Sequence, residues 1–205
     1  MFYEFKGVKP KVHPTAFIHP QAVVTGSVII GERVYIGPGA AIRGDFGHII
    51  IHNDCNVQEN CTIHMFPGTT VVLEEKSHIG HGAIIHGAKI GKNSLIGMNA
   101  VIMDDAVIGE ESIVGALTFV PAQSKFPKRS VIVGNPAKVV KQVSNEMIEW
   151  KTEGTEVYIQ LAQDCQKQLK PCEPELWKEI SEEELQSPNS DLYKTWRKTQ
   201  DEKNS

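Results

Sequence analysis

An aliphatic residue recurs at positions 18, 24, 30, 36, 42, 51, 57, 63, 73, 79, 85, 90, 96, 102, 108, 114 and 120, and 13 of the 16 steps between them are six residues long. The other three steps are nine, ten and five. A helix repeats at 3.6 residues and a simple strand at 2, so a period of six belongs to neither. It belongs to a solenoid in which short strands alternate with tight turns and each unit points one aliphatic side chain inward. Seven of the 17 aliphatic positions are followed directly by Gly, as expected where backbone conformation is special. Four places after each aliphatic, 14 of 17 residues are Ala, Val, Ser, Thr or Cys, the small residues that crowded neighbouring coils require. The exceptions, Phe46, Pro67 and Lys89, fall in the hexads where the step length breaks. An ordinary β-sandwich predicts no such register.

This pattern resembles the hexapeptide-repeat left-handed parallel β-helix, a triangular prism with three hexads per coil; the handedness is implied by the resemblance. The expected fold class is an all-β solenoid followed by a C-terminal α-helix. After residue 124 the pattern stops, and Gly134-Asn135-Pro136-Ala137-Lys138 looks like the segment that closes such prisms. Ser144 is placed to cap a helix. Its apolar stripe is Met147, Ile148, Trp150, Val157, Ile159, Leu161, Ala162, Cys165 and Leu169, with Gly154 expected to break it into two pieces. The expected organisation is a β-helix domain over 1–140, a helix over 141–171 packed on the prism or a neighbouring subunit, and a polar tail over 172–205. Some helix is expected in that tail around Leu176–Leu185.

Composition narrows the function classes. With 21 Lys and Arg against 25 Asp and Glu, there is no basic excess to hold nucleic acid. No run approaches the ~18 apolar residues of a membrane span. The N-terminus lacks the apolar core of a secretory signal, and Cys55, Cys61, Cys165 and Cys172 are too scattered for a disulfide scaffold. A cytoplasmic protein with free thiols is expected.

Counting the prism faces cyclically turns the register into geometry. Positions 42, 63 and 85 fall on one face in successive coils, so the residues that follow them, Arg43, His64 and His86, should stack in a column about 4.8 Å apart. Two imidazoles at that spacing can share a metal. His64 and His86 also stand where Gly is otherwise common. His13, His19, His48, His52 and His78 read as hydrogen-bonded structural residues. His81 lies five residues before His86, roughly 16 Å away along an extended chain, so it can complete a three-His site only from a neighbouring subunit. Such a head-to-tail contact must close on itself, and a three-fold ring does so.

The segments Arg43-Gly44-Asp45, Asn56-Val57-Gln58-Glu59-Asn60, His64, and Ile79 to Gly87 with His81 and His86 together resemble the γ-class carbonic anhydrases. The likeness is greatest to the branch of phenylacetate-degradation and carnitine-operon accessory proteins, and it covers most of residues 1–170. The resemblance implies that His64, His81 and His86 hold a metal, Zn2+ or Fe2+, with His81 reaching a neighbour's site in a homotrimer. It implies that Arg43 and Asp45 pair across the subunit boundary beside the substrate pocket, and that Gln58 holds the reacting water or bicarbonate. Glu59 stands where the family often has Asp, and Tyr158 matches a tyrosine approaching the site. One departure is that Met65-Phe66-Pro67-Gly68-Thr69 carries no acid where the founding archaeal enzyme has a proton-shuttling carboxylate.

Three neutral imidazoles leave a coordination position open for water, whose pKa the metal lowers toward ~7. The expected reaction is attack of that hydroxide on CO2 to give bicarbonate. Attack on an acyl-CoA thioester is the alternative. A hexapeptide-repeat acyltransferase is a further one, though such enzymes use a single His as general base. A non-enzymatic assembly subunit that keeps a metal for trimer stability is a fourth reading.

Overall fold

The computed structural model describes residues 1–175. The chain divides into a unit over Met1–Gln166 and a second over Lys167–Ser205, and the expected helix around Leu176–Leu185 lies outside the described residues. The first unit is a parallel β-solenoid of about seven turns, a left-handed β-helix of hexapeptide repeats, with one C-terminal helix. Sixteen of the 17 register positions are buried in one continuous apolar column, and the first, Ile18, packs partly buried against it.

The register also runs further than 18–120. Val12 precedes it by one hexad, and Phe126 and Ile132 continue it past residue 124, on strands Lys125–Phe126 and Ser130–Gly134 that pair in parallel with the coil below. The expected stop at 124 is therefore wrong. An aromatic at 126 and the Pro127-Lys128-Arg129 corner disguise two more coil segments. Beyond them the chain reverses at Asn135-Pro136, and Ala137–Gln142 pairs antiparallel with Ser130–Gly134 to end the sheet.

Corners and close contacts divide the work differently from the sequence expectation. The left-handed backbone falls three places after the inward residue and is taken mostly by non-glycines, among them Arg33, Asp54, Asn60, Asn93, Asn99 and Leu117. The glycines directly after the aliphatics serve close approach instead. A Cβ at Gly97 would stand 2.4 Å from the Ala116 nitrogen, and one at Gly109 2.4 Å from that of Lys128, both in the next coil.

The helix, Asn145–Gln168, is continuous. Ser144 caps it, its Oγ accepting from the Met147 N–H at 3.3 Å. The expected break at Gly154 does not occur. The glycine faces open space, so it costs only ~1 kcal/mol of helix propensity, while Lys151 and Thr155 on either side are fully buried. The buried stripe also differs from expectation: Trp150 and Leu169 are exposed, and Lys151, Thr155, Ile159 and Ala162 face the prism.

Lys151 Nζ donates to the Lys76 carbonyl and to Asn93 Oδ1 (2.7 Å), with no carboxylate in contact among the described residues. Burial pushes its pKa down to about 7, with Lys76 adding to the effect. The folded state thus holds this proton less tightly than the unfolded chain, so its contribution to stability rises with pH between about 7 and the unfolded value of ~10.4. Relative to Lys151→Met, wild-type Tm should climb by about 2–4 °C per pH unit between pH 7.5 and 9. Parallel thermal-denaturation profiles of the two proteins would contradict this.

Candidate functional site

Strands Ala41–Ile51, Thr62–His64 and Ile84–His86 lie side by side in parallel, with Ile42 opposite Ile63, Ile63 opposite Ile85, and His64 opposite His86. The expected column forms because these inward isoleucines lock the register and the next residue must point outward. Asp45 accepts from Arg43 Nε (3.2 Å) and from His64 Nε2 (2.8 Å), and the Arg43 guanidinium also lies 3.1 Å from that imidazole nitrogen. Burial opposes ionisation of Asp45. The His64 hydrogen bond and the Arg43 charge outweigh it and hold the pKa below its ordinary value. The Arg43–Asp45 pair closes within one chain.

His86 is held by a carboxylate that sequence reasoning missed. Asp104, one coil further on, accepts from His86 Nδ1 at 2.8 Å with both oxygens. The only trace of this in the sequence is Gly87, where a Cβ would stand 2.4 Å from the Asp104 Oδ1. His64 Nδ1 and His86 Nε2 lie 3.4 Å apart; in the tautomers that donate to Asp45 and Asp104, these two nitrogens carry the lone pairs. Lone pairs so placed repel unless a cation lies between them. Tetrahedral zinc with nitrogens at ~2.0–2.1 Å holds them ~3.3 Å apart, close to the separation of this pair. Among the described residues no three His, Cys, Asp or Glu side chains of one chain converge as a metal set.

His81 sits on a different edge of the prism, at the corner after Ile79, about half exposed, and its Nδ1 contacts Glu59 Oε2. Glu59 Oε1 accepts from the Tyr35 hydroxyl at 3.1 Å. Two of the three expected ligands, His64 and His86, thus have one ring nitrogen hydrogen-bonded to a carboxylate, Asp45 and Asp104, while His81 only lies in ion-pair contact with Glu59. Such partners fix the tautomer and raise the basicity of metal-bound histidines.

Gln58 and Tyr158 belong to a group under the helix. Gln58 is buried, donates to Asn56 Oδ1 (3.0 Å) and meets His78 Nε2 at 2.6 Å. Tyr158 packs edge-on against His78 at 5.3 Å and against Tyr35 at 5.5 Å. His78, expected to be merely structural, is the centre of this group. Burial, with Lys151 and His81 nearby, lowers its pKa to about 3, so it stays neutral. His13, His48 and His52 make local contacts, to Thr15, Ser27 and Glu74. The buried Cys55 and Cys61 thiols are pushed up to about 12 and about 11 by burial and are not nucleophiles. Among the described residues, no helix is long and apolar enough to cross a membrane.

The bacterial transferase hexapeptide model (six repeats) matches residues 9–44 and 87–122. Asp45, Gln58, Glu59, His64, His81 and His86 all lie between the two matched stretches. The carnitine operon protein CaiE of Escherichia coli is 46% identical over 173 residues, covering 84% of this chain and 88% of CaiE. This chain belongs to the hexapeptide-repeat family that includes CaiE. Two solved structures share its fold at TM-scores of 0.79 and 0.77. One is a candidate acetyltransferase from Bacillus cereus, 36% identical over 80% of this chain and 95% of its own. The other is a hexapeptide transferase family protein from Anaplasma phagocytophilum, 31% identical over 80% and 96%.

The Asp104 contact has a direct test. Asp104→Ala should weaken zinc binding by about 10–100-fold with an unchanged far-UV circular dichroism spectrum, as read by competition with a chromogenic chelator. Equal affinity in the two proteins would remove Asp104 from the site.

Proposed function

We propose that this member of the CaiE-containing family is a metal-dependent enzyme of the γ-carbonic-anhydrase type that converts CO2 and water to bicarbonate. The observation that carries this reading is the facing pair of His64 and His86, 3.4 Å apart at their near nitrogens and each hydrogen-bonded to its own carboxylate. His64 and His86 of one chain, with His81 of a neighbouring copy, would hold zinc or ferrous iron. When bound, the metal acts as a Lewis acid that makes hydroxide available near neutral pH.

The chain's own residues supply the rest. Asp45 and Asp104 would keep the imidazole protons of His64 and His86 on the nitrogens that do not face the other ring. Arg43, more than half exposed beside Asp45, offers a cation to the negative charge that develops on the substrate oxygens. Gln58 is buried and tied to Asn56 and His78, so it would act as a positioning residue that holds the corner leading to Glu59.

A second copy has a surface to occupy. Ala41, Thr62, Ile84, Val101 and Phe119 follow one another up the His64–His86 face as its outward row. Exposed Met98 and Leu117 border it at the corner that carries His81. The helix covers a second face, and the third is broken by Lys89 and Lys125. An apolar row with His81 at one edge and the histidine pair at the other suits a closed homotrimer with metal sites between subunits.

The likeness to the Bacillus cereus and Anaplasma proteins favours a second reading, an acyltransferase in which one carboxylate-paired histidine acts as general base. A thioesterase using the metal site is the hydrolytic counterpart of that reading.

Metal content of untagged protein purified without chelators should be about one zinc or iron per chain, with CO2 hydration that is lost on chelation. His81→Ala should lose the metal and fall from trimer to smaller species by light scattering. Full metal and unchanged mass in that variant would refute the shared site. Absence of metal even after loading, together with acyl transfer from CoA esters to an amine, would establish the acyltransferase instead.

A further inference from the structure

The two longest departures from the six-residue step, nine residues from Ile42 to Ile51 and ten from Ile63 to Leu73, add chain that the solenoid does not need. Each added loop raises one phenylalanine. Phe46 is 50% exposed and Phe66 60% exposed, so neither contributes much to the core. Both instead rest on the histidine pair: Phe46 lies against His64 with ring centroids 5.4 Å apart, and Phe66 meets His86 edge-on at 5.2 Å.

The loops are built to hold them there. The Gly68 N–H donates to the Phe46 carbonyl at 3.0 Å, tying one loop to the other, and the Thr69 hydroxyl donates to the Phe66 carbonyl at 2.9 Å. A Cβ at Gly47 would stand 2.0 Å from the Thr69 carbonyl oxygen, so the close approach of the loops depends on glycine. Met65 is fully buried beneath them. Two exposed aromatic rings, fixed on adjacent coils beside Arg43 and two imidazoles, make an apolar wall with a few polar groups at its foot. That is the usual composition of a small-molecule site.

We infer that Phe46 and Phe66 form a specificity wall that receives the apolar tail of an acyl or arylacyl substrate whose carbonyl or carboxylate lies at the His64–His86–Arg43 foot. This rests on the metal site proposed above but not on CO2 as its substrate: CO2 has no tail for such a wall to contact, so the wall assigns that site a second, acyl-bearing substrate class. The occupant is a small acyl compound, since the rings flank the polar groups that a carbonyl or carboxylate would need.

Calorimetric binding of acetate, butyrate, hexanoate and phenylacetate to the full-length protein, zinc-loaded and metal-free, tests this. In wild type, hexanoate and phenylacetate should bind about tenfold tighter than acetate. Phe66→Ala should lose most of that gain with acetate binding and metal content unchanged, and Phe66→Leu should keep the gain for hexanoate. Equal binding of all four acids by wild type would overturn the wall, as would a Phe66→Ala variant that weakens acetate and hexanoate in the same ratio. A change of oligomer mass in Phe66→Ala, without loss of discrimination, would assign the rings to a subunit contact and also overturn it. Tail discrimination in a protein that takes up no metal would refute the metalloenzyme but uphold the wall. Full metal without discrimination would do the reverse.

Discussion

The inward column of aliphatic side chains is the constraint on which the rest of the structure depends. Each hexad commits one Ile, Val or Leu to the prism axis, and stacking coils buries those side chains in an unbroken apolar line. Parallel strands in this arrangement can slide only in steps that keep every inward position filled, so register is enforced at each coil. The outward residues are then aligned as a consequence. The histidine column is a by-product of Ile42, Ile63 and Ile85 lying over one another.

That rigidity explains where chemistry can be placed. A solenoid offers flat faces and sharp corners and has no natural cleft. The polar groups of this chain gather where the repeat is altered: at strand ends where histidine replaces glycine, at the Glu59 and His81 corner, and on the two loops that overrun the hexad. The transferase repeat model matches up to residue 44 and resumes at 87, and the metal-site candidates fall in between. The regular coils serve as the ruler, and the irregular ones carry the groups.

The helix shows a different balance. Its docking buries Lys151 at low proton affinity against two oxygen acceptors and covers His78 and Gln58. Burying an ammonium without a carboxylate is costly, so hydrophobicity alone favours Trp150 over Lys151 at this interface, yet Trp150 is exposed and Lys151 buried. The hydrogen bonds at the Lys76 and Asn93 corners decide otherwise, because left-handed corners turn carbonyls and side-chain oxygens toward the helix.

The sequence by itself determined the six-residue register, the solenoid, the small-residue positions, the Ser144 cap and the stacking of Arg43, His64 and His86. All of these follow from local spacing, which a linear chain records directly. Only the tertiary structure decided that Phe126 and Ile132 extend the prism, that Gly154 does not interrupt the helix, that Asp104 and Glu59 engage His86 and His81, and that Phe46 and Phe66 lean on the imidazoles. Each of these joins residues of different coils, loops or layers. The pairing of Asp104 with His86 arises 18 residues apart along the chain, a distance that becomes one strand spacing only after the coil has closed.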